Sequence, residues 1–455
     1  MKILVLNGSP KGKNSITLQT ILFLQKKHPK HDFKILHVGK RIKKYEKDFT
    51  GAKQELENAE LILFAYPVYT FIAPYQIHRF IELMKENDVD LKNKIATQFS
   101  TSKHFYDVTA HKYIEENCND LGLKYIRGLS ADMEDLLCKQ GQQDAESFFE
   151  HLFYCLENDI CIYPTKPSSK EERTTYKAVF KQATKKNNTN VVVVTNCAQD
   201  DENLKNMIAD FRANLPYPSR EVNIREFKFS GGCLGCFGCA VSGKCVYNDG
   251  FDDFLRNEIQ VADAIVYAFT IQDHYTQSSF KLYDDRQFCN GHRAVTMGIP
   301  IAYVISGDYR NEANLQTIVE GRSEVGGNFL AGIATDEGDT TTAIKKLSKS
   351  LVYAFEHKLT RPKNFYGVGG TKIFRDLIYL MRGIMRTDHK FYKKNKIYDF
   401  PQKKIGTILK MHLIGVLISL PSVQKKMKGK MNEIILSPYQ KVIEAATSEV
   451  KSNYG

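Results

Sequence analysis

Short apolar runs recur along this chain at intervals that leave room for one helix between each pair, and the whole series occurs twice. KILVLN (2–7), FKILHV (33–38), AELILFAYP (59–67), KIATQFSTS (94–102) and LKYIRGLS (123–130) form the first series. Helical periodicity fills the gaps, through ITLQTILFLQKK, QIHRFIELMKEN and DVTAHKYIEENC, and DAESFFEHLFYCLE closes the series. Apolar strands alternating with helices fit a parallel sheet covered on both faces, because each crossover lays a helix on one face. NVVVVTN (190–196), EVNIREFKF, ADAIVYAFT (262–270), IPIAYVISG and NFLAGIAT repeat the order, with helices through ENLKNMIADFRANL, SSFKLYDDRQF and from about Asn311. The repeat is one of element order and hardly of residue identity. The fold class read from this is α/β, two doubly wound parallel five-stranded sheets in one chain.

Four segments follow from the pattern: a first domain over 1–158, a linker over 159–189, a second domain over 190–360 and an extension over 361–455. The linker is polar and lysine-rich, with at most one surface helix. Charge separates the last segment. The chain carries +12, yet residues 361–455 hold 19 Lys+Arg against 6 Asp+Glu, so the preceding 360 residues are close to neutral. A basic body built for nucleic acid is therefore not expected; the extension reads as basic and helical, able to meet a membrane surface or polyanion, although lysine-rich solvated helices are the commoner explanation. MHLIGVLISL (411–420) is too short to span a bilayer, and an apolar helix packing on the domains is favoured over an interfacial one. The N-terminus runs straight into a strand and shows no cleavage site, so a cytoplasmic location is expected.

GSPKGKNSIT (8–17) joins the end of a strand to the start of a helix. Gly8 permits a tight turn, Ser9, Ser15 and Thr17 supply hydroxyls, and Lys11 or Lys13 adds charge to the amides of the helix start, which together make an anion site. The loop lacks both the Walker ending and the dinucleotide glycine spacing, so a phosphate monoester suits it best. YPVYTF (66–71) follows the third strand with an aromatic wall, and STSKHFYD (100–107) follows the fourth with hydroxyls. Core packing is the plain alternative for Tyr66, Tyr69 and Phe71.

These three loops, in this order, resemble those of NADPH-dependent FMN reductases of the flavodoxin-like superfamily, over roughly residues 1–158. The resemblance implies a flavodoxin-like fold and FMN. Ser9, Lys11, Ser15, Ile16 and Thr17 would hold its phosphate; Pro67, Val68, Tyr69, Thr70 and Phe71 would line the isoalloxazine; Thr101, Ser102 and Lys103 would touch its other side. In the second domain the corresponding first loop carries Asp200, Asp201 and Glu202, which would repel a phosphate, and Thr270 and Gln272 replace the family's proline and tyrosine. Ser278, Lys281 and Arg286 survive at its helix positions. One FMN per chain is expected.

Ten cysteines are present. Cys118, Cys138, Cys155, Cys161, Cys197 and Cys289 are scattered and read as small apolar side chains. Cys233, Cys236, Cys239 and Cys245 stand as C-x2-C-x2-C-x5-C within GGCLGCFGCAVSGKC, where glycines let the backbone wrap a soft-metal centre. The spacing is nearer the [4Fe–4S] pattern than the paired spacing of zinc, although Val246 replaces the ferredoxin proline. Zinc, and reduced or redox-active thiols, are the alternatives. The second domain resembles iron–sulfur flavoproteins in the order of this loop and its neighbours. The function expected is an NAD(P)H-dependent FMN oxidoreductase serving a small-molecule or protein acceptor, with no protein acid or base assigned. An electron carrier without nicotinamide activity and a non-catalytic scaffold are the other readings. The two domains are expected to pair as a pseudo-dimer, with the cysteine loop facing the flavin near Tyr69.

Overall fold

Along the first strand, β1 (Lys2–Asn7), Ile3 and Val5 face one side and Leu4 and Leu6 the other, and all four are buried. Both faces of its sheet are therefore covered, as an unbroken apolar strand demands. The computed structural model describes residues 1–92, 94–165, 176–178, 189–427, 430 and 436–437. β1 lies between β2 (Asp32–Leu36) and β3 (Leu61–Pro67); β4 (Ile95–Ser102) follows, and β5 (Lys124–Tyr125) and β6 (Leu129–Asp132) both pair with β4, all in parallel. The second sheet has the same order, β8 (Ser219–Asn223), β7 (Val191–Thr195), β9 (Ala264–Gln272), β11 (Ile301–Ser306) and β12 (Leu330–Thr335), with β10 (Tyr275–Thr276) antiparallel to β9. Both sheets are flavodoxin-like.

The first sheet carries α1 (Ile16–Lys27), α2 (Val38–Tyr45), α3 (Thr50–Asn58), α4 (Tyr75–Glu86), α5 (Asp107–Asp120) and α6 (Lys139–Glu157). The second carries α7 (Glu202–Asn214), α8 (Gly238–Ser242), α9 (Phe251–Phe254), α10 (Ser278–Arg286), α11 (Ala313–Gly326) and α12 (Thr340–Glu356). After it come α13 (Phe365–Leu380), α14 (Arg386–Lys394), α15 (Ile405–Ile418) and α16 (Pro421–Met427). The chain divides into two compact units, Met1–Tyr392 and Lys393–Gly455. Both sheets, α13 and most of α14 thus belong to the first unit. In the described part of the second unit, no residue of α15 is buried.

Three apolar clusters fill the first unit. One lies on the outer face of the first sheet around Ile3, Leu18 and Phe149, and one on the outer face of the second around Val191, Phe211 and Leu351. The third is shared: Leu4, Tyr66 and Ile77 of the first half pack in one cluster with Val192, Phe269 and Tyr283 of the second. The inner faces of the two sheets and their helices are therefore one hydrophobic core.

Two local expectations come out differently, and a third falls outside the described residues. LKYIRGLS is not one strand: it breaks at Gly128, where a Cβ would stand 2.2 Å from the carbonyl oxygen of Gln98, into β5 and β6. Cys138 is exposed, and its sulfur accepts a bond from the Gly141 amide at 3.4 Å, so it is a helix cap and not an apolar filler. In the linker, residues 166–175 and 179–188, which were read as holding at most one surface helix, lie outside the described residues. Tyr176 docks on the second half, its amide donating to Asn203 at 2.6 Å.

Candidate functional site

The loop after β1 turns through Gly12, at φ +57°, and meets α1 at Ser15. Ser15 caps α1, its hydroxyl accepting from the Leu18 amide at 3.3 Å. Amides of a first helical turn have no partner within the helix, so the end of α1 presents donors and a positive dipole to whatever lies before it. Thr17 bonds Thr101 at 2.6 Å, which ties this loop to the end of β4.

After β3 the chain makes a two-residue turn, with Tyr69 and Ile72 bridged and both Thr70 (φ 47°) and Phe71 (φ 73°) left-handed. Neither residue is a glycine, and each such conformation costs about 1–2 kcal/mol. The surroundings hold it in place. Lys281 Nζ donates to the Tyr69 carbonyl at 3.0 Å, Thr70 Oγ1 to Asp285 at 3.2 Å, and Thr109 Oγ1 to the Phe71 carbonyl at 2.5 Å. Lys281 and Asp285 are fully buried and paired to each other, on α10 of the second half. A turn of the first domain is thus shaped by an ion pair of the second.

The cysteine loop lies against this turn. Gly235, at φ +59°, is where a Cβ would come 2.1 Å from the Tyr69 hydroxyl, and a Cβ at Gly232 would come 2.2 Å from the Tyr75 ring, so glycine is required for the approach. Arg286 props the loop from below, bidentate to Asp249 at 2.8 Å on both arms, bonded to the Gly231 carbonyl at 2.8 Å, and stacked 4.5 Å from the Tyr247 ring centroid. Burial opposes ionisation of Asp249, but the Arg286 guanidinium holds its pKa at about 2.

These loops enclose one cavity at the carboxyl ends of β1, β3 and β4. It is lined by Ser9, Lys11, Ser15, Ile16 and Thr17, by Pro67, Val68, Tyr69 and Thr70, by Thr101, Ser102 and Lys103, and on the facing wall by Cys233, Cys236, Cys239 and Cys245. Phe71 alone among the expected residues is not in its lining. Its ring packs at 4.4 Å from Tyr106 and 4.9 Å from Phe105, because the left-handed turn points it into the shared core. Lys103 is paired with Asp132 at 2.7 Å, whereas the Lys11 ammonium lies 5.8 Å from the Phe237 ring centroid. Burial first, then the neighbouring Cys233, Asp285 and Cys236, hold the Tyr69 phenol well above its ordinary range, so it is a neutral donor.

The cysteines differ among themselves. Burial pushes the Cys233 thiol up, and burial with Asp388 and the neighbouring thiols pushes Cys239 up to about 11. Among the described residues, the group whose ligand atoms gather at single-ion distance is Glu116, His274 and Glu312; the four cysteines are not in it.

Other lining residues escaped the sequence reading. Cys289, read as a scattered apolar residue, stands in the cavity wall, as do Phe105, Phe288, His292, Phe374 and Leu377. The last two come from α13, inside the stretch expected to be a separate extension. Asp388 of α14, fully buried, accepts from the His292 amide and from Nδ1 at 3.1 Å each and from Arg293 at 2.7 Å. Gly291 makes room for it, since a Cβ there would lie 2.4 Å from the carboxylate. Nothing in the spacing signals a pair 96 residues apart.

Fold and cavity together define a two-domain flavodoxin-like protein in which loops of the first domain face a cysteine-lined wall. A family model described as Flavodoxin-like fold matches residues 1–126. Among solved structures, the chain is similar to an FMN-dependent NADH-azoreductase from Bacillus anthracis in complex with FMN, with 13% identity over 34% of this chain and 99% of that one and a TM-score of 0.28. It is similar also to an NADPH-quinone reductase from P. pentosaceus (14% identity, 33% and 97% covered, TM-score 0.27) and to an apo NADH:FMN oxidoreductase (16%, 37% and 92%, TM-score 0.30). No curated protein matches the chain. Among the described residues, no helix is long and apolar enough to cross a membrane.

Proposed function

We propose that this chain is an FMN-dependent oxidoreductase that takes reducing equivalents from NADH or NADPH and passes them to a small-molecule or protein acceptor. One observation carries the reading: three loops of the first domain and the cysteine loop of the second line the same cavity. Bound there, FMN would supply hydride acceptance and stepwise electron release, and a [4Fe–4S] cluster on Cys233, Cys236, Cys239 and Cys245 would supply a one-electron outlet.

The residues present suit the flavin. The start of α1 with Ser9, Ser15 and Thr17 is a donor set for a phosphate monoester, and Lys11 adds charge. Val68, Tyr69 and Thr70 offer a flat wall whose shape is held by Lys281 and Asp285. Thr101, Ser102 and Lys103, at the end of the neighbouring strand β4, line the same cavity beside them. His292 and Asp388 supply what the cofactors do not: with Nδ1 donated to Asp388, Nε2 is the nitrogen left to hold a proton for an acceptor that takes one up with its electrons. The second half is a wall of the site and not a second flavin domain. Where its own first loop would hold phosphate, Asp201 caps α7 and accepts from Thr270 at 2.5 Å.

Anaerobic purification with an absorption spectrum and flavin, iron and sulfide analysis tests the reading. One FMN per chain, bleached by NADH or NADPH, is expected, with broad visible absorption lost in a Cys233→Ser/Cys236→Ser variant. A colourless protein overturns it. Flavin that neither nicotinamide reduces would make the chain an electron carrier.

A further inference from the structure

The helix α15 is apolar around its whole circumference. Successive residues step by about 100°, so Ile408, Leu409, Met411, Leu413 and Ile414 leave no wide polar face. Lys410 is its one charged residue. None of its fourteen residues is buried, and Leu413 and Val416 are 68% and 67% exposed. A helix that is hydrophobic all round is stable only inside an apolar surrounding. A protein groove covers one face of a helix; acyl chains cover all of them.

Charge identifies the surface. Between Asp399 and Glu433 the chain has seven lysines and no acidic residue. Lys403 and Lys404 precede α15, and Lys425 and Lys426 follow it on α16, so the apolar segment is bracketed by cations. A second copy docked here would set lysine against lysine. Anionic headgroups would meet both brackets while the helix enters the hydrocarbon. At about 21 Å for fourteen residues, against a hydrocarbon core of about 30 Å, the helix reaches into one leaflet without crossing.

We infer that Ile405–Ile418 is a one-leaflet anchor for an anionic bilayer, which places this protein at a membrane surface. The test uses the full chain and vesicles of phosphatidylcholine with or without phosphatidylserine, read by co-sedimentation. Binding should rise about tenfold or more with phosphatidylserine and fall as salt is raised. Leu413→Asp/Val416→Asp should lose it about tenfold or more, and these positions are exposed, so the flavin content and far-ultraviolet spectrum should be unchanged. Lys425→Glu/Lys426→Glu should weaken the preference for phosphatidylserine. The chain has no tryptophan, so Leu417→Trp reports the environment of the helix alone, and a blue shift on adding anionic vesicles is expected. Binding to neither vesicle, binding that survives Leu413→Asp/Val416→Asp, or self-association that this variant abolishes in a chain indifferent to vesicles would overturn the inference.

Discussion

Glu82 and Asp285 each cap the helix to which the other belongs. Glu82, on α4, accepts from the Ser278 amide at the start of α10 at 2.7 Å, and Asp285, on α10, accepts from the Tyr75 amide at the start of α4 at 2.9 Å. Each carboxylate stands seven positions into its own helix. Reciprocal contact of this kind is what a two-fold interface produces, here inside one chain. Carboxylates at helix starts satisfy unpaired amides and the dipole together. The consequence for function is direct, because Asp285 also holds Thr70 in the cavity wall.

Breaking the buried pair should be costly. Lys281→Met leaves Asp285 uncompensated, and a loss of about 3–5 kcal/mol in urea unfolding is expected. The double replacement Lys281→Met/Asp285→Leu should lose less than the sum of the single ones. Additive losses would mean the two side chains act separately.

Ser15→Asp separates folding from flavin binding. Aspartate caps a helix as well as serine does, so α1 should survive, yet a carboxylate would now face the proposed phosphate position. FMN affinity should fall about 100-fold or more with the melting curve of the flavin-free protein unchanged. Full flavin occupancy in this variant would move the phosphate elsewhere.

His292 should matter only where a proton travels. His292→Gln and Asp388→Asn are expected to lower kcat about 100-fold with acceptors that take up a proton, and to leave ferricyanide reduction near the parent rate. Equal loss with both acceptor types would make the pair structural.

Stability should depend on pH through His274. Burial alone would lower its pKa, but Asp120 and Glu312 raise it to about 10. Because the folded value lies above the ordinary 6.5, the stabilisation is complete below that pH and is lost as pH rises toward 10. Glu116 beside it is lifted by burial to about 7, so its burial becomes unfavourable between the usual carboxylate range and neutrality, in the same direction. Urea midpoints measured from pH 6.5 to 10 should fall for the parent and be flatter for His274→Gln. Parallel slopes would remove His274 from the account.

The repeated strand–helix series in the sequence was enough for two parallel sheets, because apolar runs and helical periods are local signals that burial on both faces enforces. Twelve of the thirteen positions that the family resemblance assigned to flavin line one cavity, since loops at strand ends are placed by the sheet itself. Phe71 is the exception, because the hand of a two-residue turn is set by what grips it, here Thr109 and the buried pair of α10. Gly128 stands in the break between β5 and β6, where only a glycine clears the Gln98 carbonyl, a contact that no propensity records. Lys281 and Tyr69 are 212 positions apart, Glu82 and Ser278 are 196, and His292 and Asp388 are 96. Contacts at such separations exist only once the inner faces of both sheets share a core, so local pattern determined each half, and tertiary packing decided that the second half completes the site of the first.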